Sequence, residues 1–385
     1  MNSTKKWIWE SERYPQFPHN KDKLLDKIGK IEHLKGQIDG ILSFVSEKEL
    51  DAIEIANMTE EIIGTSAIEG EYLRRESVRD SVSKMINSSY LSFENHATKH
   101  TDALADLILD CRKNGKILTK ERIHGWHNAL FANTQYGDNI KKITIASFRN
   151  YDDMKVIENT FARGGAIVKY VAPPYAMIDD DIQRLLEYCN ESEENPYIKS
   201  AIVHLWFVSI HPYDDGNGRI SRALADYVLA HDTTEQYKAY SISTAILTNR
   251  TTYYEILDET TNLFKNRHYD FTAWIAWHMN TLIVALQKSL RDVKFIVKKT
   301  KFWDKHRDKK LNKRQVKVLE IMIANLSQDQ PAILTTKHYK ELTQALQLTA
   351  SRDIKSLFEQ GIIHKIEGKG GRSVSYTLLF EEKDV

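Results

Sequence analysis

Apolar residues recur with a helical period along most of the chain. From Lys21 to about Asn57 they stand three or four positions apart, which places them on one face of an α-helix. These residues are Leu24, Leu25, Ile28, Ile31, Leu34, Ile38, Ile41, Leu42 and Val45. A further helix is predicted over Glu47–Ile63, and the segment from about 96 to 290 has the same character. The pattern therefore predicts a mainly α protein.

One segment in the middle of the chain breaks this pattern. The stretch GAIVKYVAPPYAM (Gly165–Met177) is rich in β-branched residues and opens at a Gly-Gly pair. It closes around Pro173-Pro174, and proline cannot donate a hydrogen bond to a neighbouring strand. We therefore predict a short β-hairpin or extended flap between helices.

The last part of the chain follows the order helix, helix, helix, hairpin. Two short helices are predicted in TTKHYKELTQAL, capped at Thr335 or Thr336, and in TASRDIKSLFEQG, capped at Thr349 and ended by Gly361. The stretch IIHKIEGKGGRSVSYTLL then alternates as two strands around a glycine-rich turn. This order is typical of a winged helix-turn-helix, and the basic stretch KKTKFWDKHRDKKLNKRQVK before it is predicted to be a linker.

Composition narrows the classes of protein. The 385 residues suffice for two or three domains, and the net formal charge of +1 means that nucleic acid could bind only through a local basic patch. The N-terminus lacks a secretory signal, and no window approaches ~18 uninterrupted apolar residues, so we predict a cytoplasmic protein without a membrane contact. Cys111 and Cys189 lie outside metal-binding patterns and are predicted to be inert thiols rather than a disulfide.

Two clusters of ring-bearing side chains are predicted to have structural roles. The chain opens with Trp7, Trp9, Tyr14, Pro15, Phe17 and Pro18. We expect an extended segment that packs its rings on a neighbouring element. Further on, His124 and His127 share one face of a helix that Thr119 is predicted to cap. A metal site could use that spacing, but no third ligand is near, so packing or hydrogen bonding is favoured over zinc.

The stretch that carries chemistry is HPYDDGNGRISR, from His211 to Arg222, which lies between two predicted helices. Gly216 and Gly218 stand at the N-terminus of the second helix, where unpaired N–H groups and the helix dipole attract an anion. Arg219 and Arg222 are three residues apart and can both bind that anion as bidentate phosphate ligands.

The other polar residues of the stretch complete a predicted phosphate site. Asp215 is a hard oxygen ligand suited to Mg²⁺, and Asn217 can add an amide contact to a phosphate. His211 is placed to act as a general base. The alternative is an ordinary polar turn, but such a turn needs neither the histidine nor the arginine pair. The residues predict a base that deprotonates a hydroxyl attacking a Mg²⁺-bound nucleotide phosphate.

The same twelve residues resemble the Fic-domain signature, H-P-F-x-[DE]-G-N-G-R-x-x-R. Every defined position matches except Tyr213, where phenylalanine is usual. Tyrosine keeps the ring, which normally anchors the loop in the core. SFRN resembles the start of the family's target-docking hairpin, and TTYYEIL resembles the helix after the catalytic one. The resemblance implies a mainly α, Fic-type helical core with a short β-hairpin flap.

The function implied by the resemblance is adenylyl transfer. Fic proteins typically move AMP from ATP to a Ser, Thr or Tyr hydroxyl of a protein. Carried over, His211 is the base and Asp215 holds Mg²⁺. The phosphates are bound by Gly216, Asn217, Gly218, Arg219 and Arg222, with the two arginines on the β and γ phosphates. A phosphorylating branch has lysine in place of the second glycine, so Gly218 favours AMP transfer.

A second resemblance lies far from the signature. TSAIEGE contains Thr65, Glu69 and Gly70 in the spacing of the family's inhibitory motif, [ST]-x-x-x-E-[GN]. Thr65 and Glu69 are four residues apart and share a helix face. The resemblance implies that Glu69 pairs with Arg222 and takes the place of the γ phosphate. The chain is therefore predicted to be an autoinhibited protein adenylyltransferase that uses ATP and Mg²⁺.

Two other functions stay open at this point. The chain could be a DNA-binding or protein-interaction regulator with a secondary Fic activity. Its candidate DNA-reading helix carries Arg352 and Lys355 but also Asp353 and Glu359, so DNA is weakly supported. It could instead remove AMP from a modified target, with Glu69 positioning a water.

The predicted organisation has three parts. Residues 1–95 form an N-terminal helical domain with the inhibitory motif, 96–290 the Fic catalytic domain, and 300–385 the winged helix-turn-helix domain. The predicted partners are a target protein with an acceptor hydroxyl and a second copy in a homodimer. Target specificity is predicted to lie in the flap around Gly165–Tyr170, with the winged helix as a second candidate region.

Overall fold

A computed structural model describes residues 5–91, 94–131, 143–160, 165–231, 238–327, 330–366 and 374–378. The chain is mainly helical, as predicted, with two short antiparallel strand pairs. The helices are α1 Leu25–Leu42, α2 Glu47–Ile68, α3 Arg75–Ile86, α4 Lys99–Lys113, α5 Lys120–Phe131, α6 Ile178–Glu191, α7 Pro196–Ile210, α8 Asn217–His231, α9 Ile242–Thr248, α10 Arg250–Thr261, α11 Thr272–Lys305, α12 Lys313–Ser327, α13 Thr336–Thr343 and α14 Gln347–Glu359. The strands are β1 Lys155–Thr160, β2 Gly165–Val171, β3 Ile363–Lys365 and β4 Tyr376–Leu378. The chain divides into two compact units, Met1–Ser289 and Leu290–Val385.

Helix α2 lies inside the first unit and is longer than its sequence pattern predicts. Ser46 caps it, because its hydroxyl oxygen accepts from the N–H of Glu49. In return the N–H of Ser46 donates to the Glu49 carboxylate. The helix continues to Ile68 rather than ending at Ile63, because α9 covers its last turns. There the Glu61 carboxylate accepts from the Ser241 hydroxyl at 2.8 Å.

Helices α7 and α8 form the centre of the first unit. Asn195 caps α7 by accepting from the N–H of Tyr197 at 3.1 Å, and Pro196 follows at the first helical position. Almost every residue of α7 is buried, which explains its nearly continuous apolar sequence. Helix α8 packs through an inner face whose residues are all buried, namely Ile220, Ala223, Leu224, Tyr227 and Val228.

The predicted flap is a β-hairpin. Strand β1 pairs antiparallel with β2, from Lys155 opposite Val171 to Thr160 opposite Gly165, with an irregularity between Val156 and Ile157. The residue before Gly165 lies outside the described residues. Pro173 and Pro174 follow β2, as the sequence predicts for its end.

The N-terminal aromatic segment packs on the base of this hairpin. Trp7 meets the Tyr170 ring edge to face at 5.2 Å, and Trp9 Nε1 donates to the carbonyl of Val171 at 2.8 Å. Further along, the rings of Phe17 and Trp206 lie 5.4 Å apart. The prediction that these rings pack on a neighbouring element is confirmed.

The second unit contains α12, α13, α14 and the β3–β4 pair, in the predicted order. Thr335 caps α13 through the N–H of His338 at 3.1 Å, and Gly361 has φ +71°, so both of these predictions are confirmed. The predicted cap at Thr349 is wrong, because α14 begins at Gln347. The glycine-rich turn of the hairpin lies outside the described residues, and a winged helix stays a prediction.

Two further predictions meet the structure here. The basic stretch is not wholly a linker, since α11 extends to Lys305 and α12 begins at Lys313. Cys111 and Cys189 are buried free thiols, as predicted. Among the described residues, no helix is long and apolar enough to cross a membrane.

Candidate active site

The stretch from His211 to Arg222 forms the connection between α7 and α8. His211 ends α7 in the left-handed region, with φ +49° and ψ +57°, which is uncommon for a residue with a side chain. Arg149 holds this conformation, because its Nε donates to the His211 carbonyl at 3.0 Å and its N–H donates to the Pro212 carbonyl at 2.8 Å. The strain is therefore maintained by contacts from outside the turn.

The His211 ring is neutral at physiological pH. Burial lowers its pKa to about 4, against the opposing effect of a hydrogen bond to the Val208 carbonyl. That bond joins Nδ1 to the carbonyl oxygen at 3.2 Å. Because a carbonyl oxygen only accepts, Nδ1 carries the proton. Nε2 is then the nitrogen with a free lone pair, which is what a general base requires.

Tyr213 anchors the turn in the core, as its resemblance to the usual phenylalanine implies. Its side chain is fully buried and stacks on the His127 ring at 3.9 Å. Its hydroxyl hydrogen-bonds His124 Nδ1 at 2.8 Å.

His127 carries a further support for the turn. Burial lowers its pKa to about 4, so the ring is neutral. Nδ1 accepts from the N–H of Ala146 at 3.0 Å, and Nε2 then donates to the Asp215 carbonyl at 3.2 Å. These contacts show that the histidine pair takes part in hydrogen bonding and packing, which is the role that the sequence favours over zinc binding.

Asn217 differs from its predicted role. Its Oδ1 accepts from the N–H of Tyr213 at 2.9 Å, and its Nδ2 donates to the Tyr213 carbonyl at 2.8 Å. The buried side chain therefore closes the turn instead of reaching out to a phosphate. Only its backbone N–H, at the start of α8, is placed for an anion.

Both glycines of the turn have a neighbouring side chain in the place that a Cβ would take. Gly216 has φ +81°, and a Cβ there would lie 2.8 Å from Cε2 of Phe131. A Cβ on Gly218 would overlap Oε1 of Glu69. The carboxylate of Glu69 thus lies directly against the N-terminal turn of α8.

Glu69 and Thr65 meet Arg222 at the same place. Arg222 donates through Nε to the Thr65 hydroxyl at 2.8 Å and through Nη2 to Glu69 Oε1 at 2.7 Å. A further bond joins Nη2 to the Thr65 carbonyl at 3.1 Å. The Arg222 side chain is almost fully buried. The structure thus brings Arg222 into contact with Glu69, 153 positions earlier in the sequence, and with Thr65, 157 positions earlier.

Arg219 has a different acidic partner. Its Nη1 donates to Glu71 Oε2 at 3.0 Å, its Nη2 lies 3.8 Å from Asp215 Oδ1, and its guanidinium covers the Phe131 ring at 4.8 Å. Its Nε is buried and has no hydrogen-bond partner among the described residues. A buried N–H of this kind fits a site that receives an anion.

Asp215 has the exposure that a metal ligand needs. Its side chain is 54% exposed, and the Gly216 N–H donates to Oδ1 at 2.5 Å. Among the described residues, no cluster of three or more His, Cys, Asp or Glu could hold a metal. A single exposed carboxylate fits Mg²⁺ that is bound mainly by the phosphates of a nucleotide.

The sequence did not assign roles to Arg149 and Asp214. Arg149 is buried and donates to the Pro173 carbonyl at 2.6 Å, so it joins the turn to the end of the flap. Asp214 accepts from the N–H of Thr144 and from the Tyr151 hydroxyl, both at 2.9 Å. The SFRN resemblance pointed to the Arg149 segment, whereas Asp214 occupies a variable signature position that gave no signal.

Comparison with known protein families shows which domain the turn and its flanking helices resemble. Residues 117–229, which include the whole turn and α5 to α7, match the Fic/DOC family. The chain contains a Fic-family domain. A separate match covers residues 7–87 and is described as a domain of unknown function, DUF4172. Thr65 and Glu69 lie in that second match, outside the Fic region.

Solved structures support the Fic fold. A Fic family protein from Desulfovibrio desulfuricans matches over 96% of this chain and 99% of its own, with a TM-score of 0.53 and 16% identity. A Fic-domain signalling protein from Bacteroides thetaiotaomicron matches over 69% and 97%, with a TM-score of 0.50 and 16% identity. At these identities the likeness is one of fold.

A closer sequence match is short. A Fido domain-containing protein of Dictyostelium discoideum is 44% identical over 48 residues, which are 12% of this chain and 34% of that protein. The matched part is thus about a third of that relative's length.

Proposed function

We propose that this protein transfers AMP from Mg²⁺-ATP to a hydroxyl of a protein and that Glu69 holds it inactive. The observation that carries the proposal is the position of the Glu69 carboxylate against the N-terminus of α8 and on Arg222. Carboxylate and phosphate compete for the same helix end and guanidinium. The Fic-family match supports a group-transfer reaction of this kind.

In the proposed reaction His211 acts on the acceptor hydroxyl. Its neutral Nε2 takes the hydroxyl proton while the oxygen bonds to the α phosphorus of ATP. The bond from the α phosphorus to the bridging oxygen breaks, and pyrophosphate leaves with that oxygen. Asp215 would hold Mg²⁺, which neutralises charge on the leaving phosphates. Arg219, Arg222 and the first N–H groups of α8 would bind those phosphates.

The inhibition would work by displacement. With Glu69 on Arg222, the terminal phosphate has neither its arginine nor its place at the helix end. ATP could bind only with its phosphates shifted, so the α phosphorus would not be in line for attack. Replacing Glu69 by glycine removes the competing carboxylate from Arg222, and glycine is tolerated at this C-terminal position of α2.

The test compares Glu69→Gly, named the activated variant below, with the wild type and with the activated variant that also carries His211→Ala. Each is incubated with Mg²⁺, a lysate and ATP labelled at either the α or the γ phosphate. We expect protein labelling from α-labelled ATP in the activated variant alone. Labelling from γ-labelled ATP instead would show phosphorylation and overturn the proposal, as would labelling that persists without His211.

A further inference from the structure

The segment after α2 brings two carboxylates to the turn from His211 to Arg222, named the catalytic turn below. Gly70 has φ +86°, so the chain reverses directly after Glu69. The N–H of Glu71 donates to the Ser66 carbonyl at 3.0 Å, which closes this reversal onto the end of α2. Glu69 and Glu71 are therefore held by the same backbone turn.

Glu71 is fixed from two sides. Its Oε2 accepts from Arg219 Nη1 at 3.0 Å, and its Oε1 is 2.8 Å from Nε2 of His100 in the first turn of α4. Burial alone would raise the pKa of Glu71, but the His100 hydrogen bond and the Arg219 charge lower it. The carboxylate is therefore ionised at neutral pH, and it stays so until the pH falls below this lowered value.

Each of the two arginines of the turn is thus paired with a different acid of the same segment. Arg222 is paired with Glu69, and Arg219 is paired with Glu71. The side chains of both arginines are almost fully buried, whereas those of Glu71 and Glu69 are 28% and 29% exposed, so water screens these pairs only in part. A polyphosphate that needs both guanidinium groups would have to displace both carboxylates.

We propose that Glu71 is a second inhibitory acid, which withholds Arg219 from the phosphates of ATP while His100 holds it in place. This inference rests on the proposed function for its biological meaning, but its physical content is a competition for Arg219. It predicts that removing the Glu69 carboxylate alone frees only one of the two arginines. Full nucleotide affinity would then require the loss of both acids.

The opposite role makes the opposite prediction. If Glu71 served to orient Arg219 for phosphate, its loss would weaken ATP binding. If Glu71 competes with phosphate, its loss strengthens ATP binding. The sign of the change in affinity therefore separates an inhibitory acid from a positioning residue.

The experiment uses Glu71→Gln, which keeps the side-chain shape and removes its charge, in the wild type and in the activated variant. Calorimetry gives the dissociation constants for ATP and for AMP, each with Mg²⁺. The matched control is Glu60→Gln, which removes an equal charge from α2, where Glu60 pairs with Arg75. His100→Ala is a second variant, which removes the other support of Glu71 without changing Glu71.

We expect Glu71→Gln to tighten ATP binding about three- to tenfold in both backgrounds, the worth of one charge-assisted hydrogen bond at a partly exposed acid. AMP lacks the phosphates that Arg219 would bind, so its affinity should stay the same. Glu60→Gln should change neither constant, and His100→Ala should shift ATP affinity in the same direction as Glu71→Gln but less.

Weaker or unchanged ATP binding in Glu71→Gln and His100→Ala would overturn the inference, and so would an equal gain for ATP and AMP. Failure of the proposed function looks different. In that case the activated variant labels no protein, while the gain in ATP affinity on Glu71→Gln is still observed. Thermal melts of each variant confirm that the constants are measured on folded protein.

Discussion

A substitution at Gly64 would shift helix α2 without changing any residue of the catalytic turn. A Cβ on Gly64 would lie 2.8 Å from the Thr244 nitrogen and 3.0 Å from the Ser243 carbonyl carbon. Both are backbone atoms of α9, which cannot rotate away as a flexible side chain would. Gly64→Ala must therefore separate the two helices.

The size of that separation follows from the contact. Ordinary van der Waals contact begins at 3.4 Å, so the 2.8 Å approach requires the backbones to part by about 0.6 Å. Overpacking of this kind costs about 1–3 kcal/mol. Alanine regains about 1 kcal/mol of helix propensity over glycine. We expect the free energy of unfolding to fall by up to about 2 kcal/mol. The melting temperature should fall with it, by roughly 2–4 °C per kcal/mol.

The functional effect follows from what the last turn of α2 carries. Thr65 is the next residue, and Glu69 follows one turn later, so both move with the helix. A shift of this size lengthens the bonds from Arg222 to both residues, which are 2.8 Å and 2.7 Å long. We expect Gly64→Ala to label protein from α-labelled ATP more than the wild type does and less than the activated variant does.

The control is Gly36→Ala. Gly36 is an exposed glycine inside α1, and a Cβ there would meet nothing within 4 Å. This substitution should raise the melting temperature slightly and leave labelling at the wild-type level. If Gly64→Ala melted as high as Gly36→Ala, the close approach of α2 and α9 would be disproved. If it melted lower but gave no extra labelling, the coupling of α2 position to inhibition would be refuted.

Two further predictions concern the base and a buried ion pair. In the activated variant, kcat/KM for transfer should persist as the pH falls below 6.5 and be lost only near pH 4. The reason is that His211, with a pKa of about 4, stays neutral over that interval. A pH–rate profile in which activity is lost near pH 6.5 would contradict this prediction. Asp226→Asn removes the charged partner of the buried Arg112, whose Nε lies 2.6 Å from Asp226 Oδ2. We expect the free energy of unfolding to fall by about 3–5 kcal/mol, which a lower urea midpoint would show. Asp180→Asn breaks only the exposed pair with Arg184 and should leave that midpoint unchanged, so equal shifts would refute the argument.

The turn from His211 to Arg222 could be described from sequence because its candidate residues lie in twelve consecutive positions. The flanking helices, the glycines and the candidate base could all be read from that run. Asn217 shows the limit of such reading. An amide can serve a ligand or close a turn, and only the two hydrogen bonds to Tyr213 decide between them.

Residues whose roles depend on distant partners could not be found in this way. Glu71 reaches Arg219 across 148 positions, and Arg149 reaches the His211 carbonyl across 62. Local preference also misplaced a helix start. Thr349 is a favourable cap residue, yet the N–H of Ala350 already bonds to the carbonyl of Leu346, so α14 has begun before it. These features arise from packing, which single-residue preferences do not contain.

Helix α2 is both part of the hydrophobic core and the carrier of Glu69. Ile53, Met58, Ile62 and Ile68 are buried along it, so a chain lacking this helix would lose core as well as the acid. Under the proposed function, this feature has a genetic consequence. Alleles that release the activity should be missense changes, such as those at Glu69, whereas truncations that remove the helix should lose function through misfolding. A selection for hyperactive mutants would therefore recover point substitutions around the end of α2 and no deletions of it.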